Sequence, residues 1–325
     1  MAQAIVAAPY HTHMKNVYAQ RSSNIAKTWL LVVFMAILVI GIGFFISQVY
    51  NEPFILYAAV GLSIVLNIGS YWFSDKIALA MHHARPADPA TDRQLIALVE
   101  ELAITAGLSI PRVYVIQDPA PNAFATGRNE KHAVIAVTTG LLATLDRAEL
   151  QGVIAHEMAH IGNKDILLGT VVVVLVGFIS IIADIFLRTM MFGGGRSDDR
   201  GNANPFLMIA GIVLLVLSPI VATLIQLAIS RRREFLADAS AALLTRYPEG
   251  LASALLKIDD SHQPMKTIHQ STAHLFFASP ASADTYHDKH DGEHHKGSGL
   301  QARLVGLFST HPPIAERVKR LREIA

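Results

Sequence analysis

Four long runs without a charged residue constrain the fold of this chain more than any other feature of its sequence. They cover residues 28–51, 53–74, 166–183 and 205–230. A helix needs about 20 apolar residues to cross the hydrocarbon core of a bilayer; three of the runs exceed that length and the third is marginal. We therefore expect an α-helical membrane protein with four transmembrane helices. The alternative for the third and fourth runs is a buried helical hairpin.

The charges around the first two runs indicate their orientation. Lys15, Arg21 and Lys27 precede the first run, Lys76 follows the second, and Glu52 is the only charge between them. Because positively charged flanks tend to stay in the cytoplasm, we expect both flanks there and the Glu52 turn outside. The second run follows the first at once, which argues against a cleavable signal peptide.

The composition excludes several classes of function. The 325 residues carry a net charge of +1 and 16% of them are charged, so nothing suggests a nucleic-acid partner. The chain has no cysteine, which excludes disulfides and thiolate metal sites. A metal site would therefore use histidine and carboxylate ligands.

The segments between the runs predict a mixture of helices and strands. TDRQLIALVEELAITAGL has helical hydrophobic spacing and a glycine stop at Gly107. IPRVYVIQD and HAVIAVTTG predict strands, with APNAFATGRNEK between them as a loop or bulged strand. RRREFLADASAALLTRY predicts a helix closed by Pro248, and HPPIAERVKRLREI a final helix.

A histidine-rich tract follows in the C-terminal part of the chain. Such a tract can bind metal, but its Ser, Asp, Gly and Lys content favours a solvated loop. Its histidines are His262, His269, His274, His287, His290, His294 and His295.

The most specific chemical pattern is QGVIAHEMAHIGNKD, in which His156, Glu157 and His160 have the spacing H-E-x-x-H. Residues four apart lie on one face of a helix, so both histidines can reach one Zn²⁺ ion. A carboxylate beside a ligand can hold a water molecule and take its proton, which makes Glu157 the candidate general base.

A catalytic zinc site usually has three protein ligands and one open position. REFLAD places Glu234 and Asp238 four residues apart on a predicted helix. Glu234 could be the third ligand, and Asp238 could accept a hydrogen bond from the far nitrogen of a ligand histidine. The alternative is that both carboxylates pair with the arginines at 231–233 on a helix surface.

The third and fourth runs connect the two candidate ligand segments. His160 lies shortly before the third run, and Glu234 shortly after the fourth. Two spans would return the chain to the same side of the membrane, whereas one or three would separate the ligands. A second hairpin therefore predicts a metal site at one membrane face.

Taken in order, these motifs resemble the HtpX-type membrane zinc metallopeptidases, relatives of the CAAX prenyl endopeptidases in the gluzincin group. The resemblance covers nearly the whole chain: a first hairpin, PNAFATG, HEMAHIGNKD, a second hairpin, SRRREFLADASA and FSTHPPIAERVKRL. It implies one Zn²⁺ per chain, held by His156, His160 and Glu234. Glu157 would be the general base, and Asp238 would lie behind a ligand histidine.

The resemblance also implies residues that contact substrate. Asn122, Ala123 and Phe124 would form an edge segment that hydrogen-bonds the substrate backbone, a binding mode with little sequence preference. His311 would lie near the zinc and steady the oxyanion. Without the resemblance, Asn122 would be interpreted as a turn residue and His311 as a helix-start residue.

The function implied is that of a membrane-embedded zinc metalloendopeptidase, a hydrolase acting on misfolded or unfolded membrane and cytoplasmic proteins in quality control and the stress response. Its partners would be polypeptide substrates and the lipid bilayer. It would be a multi-pass protein of the bacterial inner (cytoplasmic) membrane, with its active site facing the cytoplasm. The alternative function is a membrane metal sensor or transporter that uses the histidine-rich tract.

These predictions divide the chain into five parts. Residues 1–27 would be a cytoplasmic tail, 28–74 the first transmembrane hairpin and 166–230 the second. Residues 75–165 would be the first part of a cytoplasmic α+β, gluzincin-like protease domain with a small β-sheet. Residues 231–325 would complete that domain with the third zinc ligand and the histidine-rich loop.

Overall fold

The computed structural model describes residues 3–192, 231–261, 263, 265–266, 272, 275–278 and 312–324. Three sequence predictions lie outside these residues: the fourth apolar run, the seven histidines of the histidine-rich tract, and His311.

Two long helices form an N-terminal hairpin. Helix α1 is Gln3–Tyr50 and helix α2 is Pro53–Met81, and Asn51 between them has a φ of 53°. Both are long and apolar enough to cross a membrane, α1 over Ser22–Gln48 and α2 over its whole length. Helix α1 begins at Gln3, within the predicted tail 1–27.

Many large apolar side chains of this hairpin are exposed, as expected of a surface that faces lipid. On α1 they include Trp29, Leu30 and Ile37, and on α2 Phe54 and Tyr57. The hairpin therefore has the surface of a membrane anchor.

The third apolar run lies in helix α6. Helix α5 is Arg147–Gly162 and α6 is Asp165–Phe192, and the two meet at an angle of 84°. The described part of the chain has two candidate spans, or three if α5 and α6 form one bent span. Leu168 and Leu175 of α6 share a buried apolar cluster with Leu31 and Met35 of α1, so α6 packs against the hairpin.

A small mixed sheet carries the predicted strands. It contains β1 (Arg85–Pro86), β2 (Arg112–Ile116), β3 (Ala123–Thr126) and β4 (Val134–Thr138) in the order β1-β2-β4-β3. Strands β2 and β4 are parallel, β3 is antiparallel to β4, and β3 forms an edge of the sheet. The strands predicted from IPRVYVIQD and HAVIAVTTG are confirmed, and APNAFATGRNEK contains strand β3.

Five further helices complete the described structure. The predicted helix α3 (Arg93–Ala106) is confirmed, and Gly107 ends it at a φ of 66°, which a residue without Cβ adopts readily. The helices predicted from RRREFLADASAALLTRY and HPPIAERVKRLREI are also confirmed, whereas Pro248 begins a helix of its own. The bounds are α4 Thr139–Thr144, α7 Arg231–Thr245, α8 Pro248–Asp260 and α9 Ile314–Ile324.

Helix α5 lies at the centre of the main core. Val153, Ile154, Ala155 and Met158 are buried in one cluster with residues of α3, α7, α8, α9 and the sheet. Gly152 allows the closest approach, since a Cβ at that position would lie 2.7 Å from the backbone nitrogen of Leu251 in α8. The H-E-x-x-H motif is therefore held on a helix that is enclosed on several sides.

Candidate metal centre

A capping box fixes the start of α5. The Asp146 carboxylate accepts a hydrogen bond from the Glu149 amide at 2.9 Å, and the Glu149 carboxylate accepts one from the Asp146 amide at 2.9 Å. Ser253 and Lys257 of α8 also donate to Glu149, at 2.6 and 2.8 Å. The helix that carries the motif is thus anchored to α8 as well as capped.

Two histidines of α5 and one glutamate of α7 converge on one point. Single ligand atoms of His156, His160 and Glu234 all lie within 4.8 Å of one another. The two histidine Nε2 atoms are 3.1 Å apart, and the Glu234 carboxylate oxygens lie 3.7 Å from His156 Nε2 and 3.6 Å from His160 Nε2. In a tetrahedral Zn²⁺ site with bonds of about 2.0–2.1 Å, neighbouring ligand atoms are about 3.3 Å apart. The spacing suits one small divalent ion.

Asp238 holds His156 from behind. Its carboxylate lies 2.9 Å from His156 Nδ1 and accepts two hydrogen bonds from Arg317 of α9, at 2.7 and 2.9 Å. With its proton on Nδ1, His156 presents the lone pair of Nε2 to the shared point. Asp238 therefore pairs with Arg317, and not with the arginines at 231–233.

A second carboxylate holds His160 in the same way. Asp165, at the start of α6, accepts from His160 Nδ1 at 2.9 Å. The buried Asn24 side chain of α1 donates to Asp165 and to the Asn163 carbonyl, while Arg233 of α7 lies 3.9 Å from Asp165. Residues of the membrane hairpin, of α6 and of α7 therefore meet behind one histidine.

The surroundings of the two histidines shift their pKa values in opposite directions. Burial lowers the pKa of His156 to about 4, despite the Asp238 hydrogen bond that raises it. Burial also opposes the charge on His160, but the Asp165 hydrogen bond and the charge of Glu234 raise its pKa to about 9. Burial raises the pKa of Asp238, but the charge of Arg317 outweighs this effect and lowers it to about 2.

The geometry of the donor set fits a metal. Both histidines are oriented with Nε2 toward Glu234, and the surrounding carboxylates stabilise a positive charge at that point. A cation would replace the proton on His160, since ligand histidines bind metals in their neutral form.

Glu157 lies beside the cluster in a small cavity. The side chain is buried, and the cavity measures about 50 Å³. Its lining combines the cluster with the edge strand and with two phenylalanines: Ala125, His156, Glu157, His160, Glu234, Phe276 and Phe277. A buried carboxylate beside two histidines is placed to hold a water molecule and accept its proton.

Strand β3 borders this cavity. Asn122 and Ala123 have polar groups at the outer edge of this strand. The Ala123 carbonyl accepts a hydrogen bond from the Phe277 amide at 2.8 Å, and the Asn122 side chain forms hydrogen bonds with the backbone of Ala278. The Phe124 ring is fully buried against Phe276. Of the three residues expected to contact substrate, Asn122 and Ala123 offer hydrogen-bonding groups and Phe124 belongs to the core.

Sequence reasoning missed three residues of the site. Asp165 is the last residue of QGVIAHEMAHIGNKD. It follows the end of α5, so the helical spacing that connects His156 and His160 does not extend to it. Arg317 lies in the final predicted helix without any pattern that connects it to Asp238. Asn24 lies far away in the chain, and a single polar residue ahead of an apolar run gave no signal.

The sequence of the chain was compared with known proteins. The model of peptidase family M48 matches residues 89–325. The "Protease HtpX homolog" of Caldanaerobacter subterraneus subsp. tengcongensis is 43% identical over 314 residues, 95% of this chain and 98% of that protein. The proteins of the same name from Acidiphilium cryptum and Pyrococcus furiosus are 45% and 41% identical, over 93% and 92% of this chain and 97% and 95% of theirs.

Among solved structures, S. mikatae Ste24p matches with a TM-score of 0.48 and 18% identity, over 94% of this chain and 67% of that one. The family match extends over most of the chain, and the sequence relatives cover it almost from end to end. The chain therefore belongs to peptidase family M48, and the protein is a metallopeptidase.

Proposed function

We propose that this protein is a membrane-embedded zinc metalloendopeptidase that hydrolyses peptide bonds of misfolded or unfolded membrane and cytoplasmic proteins. The observation that supports it best is the convergence of His156, His160 and Glu234 beside Glu157. Each histidine has a carboxylate on its far nitrogen, the arrangement that orients histidines in zinc sites.

Zn²⁺ held by His156, His160 and Glu234 would supply Lewis-acid polarisation of the peptide carbonyl and of an attacking water. The Glu157 carboxylate takes the proton of that water and passes it to the leaving amine. Asp238 and Asp165 hold the two histidines by Nδ1, so that both Nε2 atoms would be free to bind the ion. His311, outside the described residues, is the residue we assign to the oxyanion.

The outer edge of β3 would hold the substrate. An extended peptide that adds to a strand is bound through its main chain, so the donors and acceptors of Asn122 and Ala123 select an unfolded conformation more than a sequence. This favours unfolded polypeptides as substrates and supports a role in quality control and the stress response.

The membrane arrangement is part of the proposal. The hairpin of α1 and α2 anchors the chain, and α6 with the fourth apolar run would form the second hairpin, so that both ligand segments meet at the cytoplasmic face of a bacterial inner membrane. The protease domain would then comprise residues 75–165 and 231–325. A metal sensor or transporter is not favoured, because the chain belongs to a peptidase family.

The test is cleavage of unfolded β-casein by the full chain in detergent with Zn²⁺, beside Glu157→Gln and His156→Ala. We expect cleavage by the unaltered protein alone. Metal analysis should find Zn²⁺ in Glu157→Gln and much less in His156→Ala. Equal cleavage by Glu157→Gln would contradict the role of Glu157, and absence of cleavage by the zinc-loaded protein would contradict the proposed activity.

A further inference from the structure

The chain's own residues Leu275–Ala278 lie along the outer edge of β3. The Phe277 amide donates to the Ala123 carbonyl at 2.8 Å. The Asn122 side chain makes two further bonds with Ala278: its Oδ1 accepts from the Ala278 amide at 3.0 Å, and its Nδ2 donates to the Ala278 carbonyl at 2.9 Å. The first is a main-chain bond of the kind that a strand added to this edge would use, and the other two use the Asn122 side chain.

The edge geometry explains why an added peptide needs these atoms. In an antiparallel pair, main-chain groups point alternately toward and away from the partner strand. The Asn122 carbonyl accepts from Thr138 on the β4 side, so the groups of Ala123 point to the outer side. A peptide adding to β3 and the segment Leu275–Ala278 therefore compete for the same carbonyl and the same side-chain amide.

Successive side chains of the segment are buried in different places. The Phe276 ring lies 5.1 Å from that of Phe124 and 4.9 Å from that of His82. The Phe277 ring lies 5.1 Å from the His156 ring and 4.9 Å from the Arg317 guanidinium. Both phenylalanines are 1% exposed.

The first residue of the segment reaches the membrane helix α6. A Cβ built on Gly169 would lie 3.0 Å from the Leu275 side chain, so Leu275 covers the one position in this part of α6 that has no side chain. The segment thus crosses from α6 to the metal cluster.

The segment also narrows the site. The cavity left between it and the cluster is about 50 Å³, whereas sites for small organic ligands usually measure about 300–1,000 Å³. A cavity of this volume has room for water beside Glu157, and an extended peptide would need the space that the segment fills.

We propose that Leu275–Ala278 is an internal occupant of the peptide-binding edge, and that a substrate enters by displacing it. This inference rests on the proposed function. It also identifies a substrate class: because displacement empties the places of Phe276 and Phe277, a peptide that brings bulky apolar side chains of its own replaces the segment most readily. Unfolded proteins expose apolar segments of this kind. Polar loops of folded proteins do not, so we expect that they do not displace Leu275–Ala278.

The first test uses hydrogen exchange in zinc-loaded Glu157→Gln, which binds peptide without cleaving it. Saturating β-casein should remove the protection of the Phe277 and Ala278 amides. Two matched peptides are then compared, one with adjacent phenylalanines and one with serines in their place. The serine peptide should need a concentration higher by about tenfold or more to remove the protection of these amides. Binding with unchanged protection of these amides would overturn the proposal, and so would equal potency of the two peptides for its substrate class.

The second test locks the segment in place. The native chain has no cysteine, so Gly169→Cys with Leu275→Cys introduces the only two thiols, and the Leu275 side chain that faces Gly169 is removed in the same variant. Oxidation with diamide should abolish β-casein cleavage with Zn²⁺ retained, and reduction should restore it. The single variant Leu275→Cys is treated identically, and its activity should be the same before and after oxidation.

The outcomes separate this inference from the proposed function. Cleavage by the oxidised pair at the rate of the reduced pair, with the crosslink verified by mass spectrometry, would overturn the internal occupant and leave the peptidase intact. Absence of β-casein binding by Glu157→Gln and of cleavage by the unaltered protein would overturn both. If the cysteine pair fails to fold, the hydrogen-exchange result decides.

Discussion

Asp238 lies between His156, a candidate metal ligand, and the buried Arg317, and the two neighbours have different requirements. His156 needs an acceptor for its Nδ1 proton. Arg317, 1% exposed, needs a negative charge beside it, because an uncompensated buried charge is costly. One carboxylate meets both needs, so orientation of the ligand and stability of the fold are coupled at this residue.

Asp238→Asn is therefore expected to weaken metal binding and folding together. Loss of the carboxylate should raise the Kd for Zn²⁺ about 10- to 100-fold, the usual effect of removing a partner behind a ligand histidine. The uncompensated Arg317 should lower the free energy of unfolding by about 3–5 kcal/mol. Competition with a zinc chelator and thermal unfolding of the metal-free protein measure the two effects.

The control is the double variant Asp238→Asn with Arg317→Met. Removing the unpaired charge should restore part of the stability, but not the zinc affinity. Recovery of zinc affinity in the double variant would contradict the assignment of Asp238 to His156.

At the scale of single elements, the close contact between α5 and α8 positions the helix that carries His156 and His160. Gly152→Ala should be destabilising by about 1–3 kcal/mol, because its Cβ would lie 2.7 Å from the Leu251 backbone and would push α8 away. Gly162→Ala, in the same helix, is the matched control: its Cβ would be 3.8 Å from its nearest neighbour, Leu108. The thermal midpoints of the two variants should differ clearly, and equal midpoints would contradict the close contact.

The capping box gives α5 a pH dependence. Burial raises the pKa of Glu149, but the hydrogen bonds from Lys257, Ser253 and Asp146 outweigh it and hold that pKa below the ordinary value of 4.5. A carboxylate with a lowered pKa in the folded state stabilises the fold above its ordinary pKa, and the contribution is lost as pH falls through the lowered value.

Glu149→Gln should therefore lower the thermal midpoint at pH 7, by an amount that reflects about 1 kcal/mol for a lost cap. The difference from the unaltered protein should shrink as pH falls below 4.5, because the native carboxyl is then becoming protonated. Thermal unfolding scans of both proteins at pH 7 and at pH 3.5–4 measure the difference in thermal midpoint. A difference that stays constant over this range would show that the charge of Glu149 is not involved.

At the scale of the whole molecule, local patterns predicted much of the structure, and long-range contacts were outside their reach. Periodicity predicted α3, β2, β4 and α9 because each depends on neighbours along the chain. The patterns H-E-x-x-H and REFLAD identified His156, His160 and Glu234 as candidate ligands, since both patterns depend on short spacing along the chain. Arg317 and Asn24 were missed because their partners are 79 and 141 residues away, at Asp238 and Asp165.

The edge strand shows a different limit. The family resemblance assigned substrate contacts to Asn122, Ala123 and Phe124. No pattern indicated that Phe277 and Ala278 hydrogen-bond to Ala123 and Asn122. Two adjacent phenylalanines in a polar segment are compatible with many positions, and the tertiary fold alone brings them to the metal cluster.

Asn24 connects the N-terminal hairpin to the candidate metal centre. This contact leads to a prediction that local sequence patterns do not give. The Asn24 amide donates to Asp165, which holds His160. Asn24→Ala should loosen Asp165 and raise the Kd for Zn²⁺ about fivefold, the effect of about one hydrogen bond. Because the substitution makes the helix more apolar, membrane insertion should be unchanged.

Asn67→Ala is the matched control, since Asn67 lies on α2 and its amide bonds to Ser63 of the same helix. Chelator competition on both variants in detergent decides between two arrangements. A selective loss of affinity in Asn24→Ala would mean that the first membrane helix helps to position a metal ligand, so that movement of the hairpin in the bilayer reaches the site through Asp165. Equal affinities in the two variants would mean that the hairpin anchors the peptidase without tuning its metal.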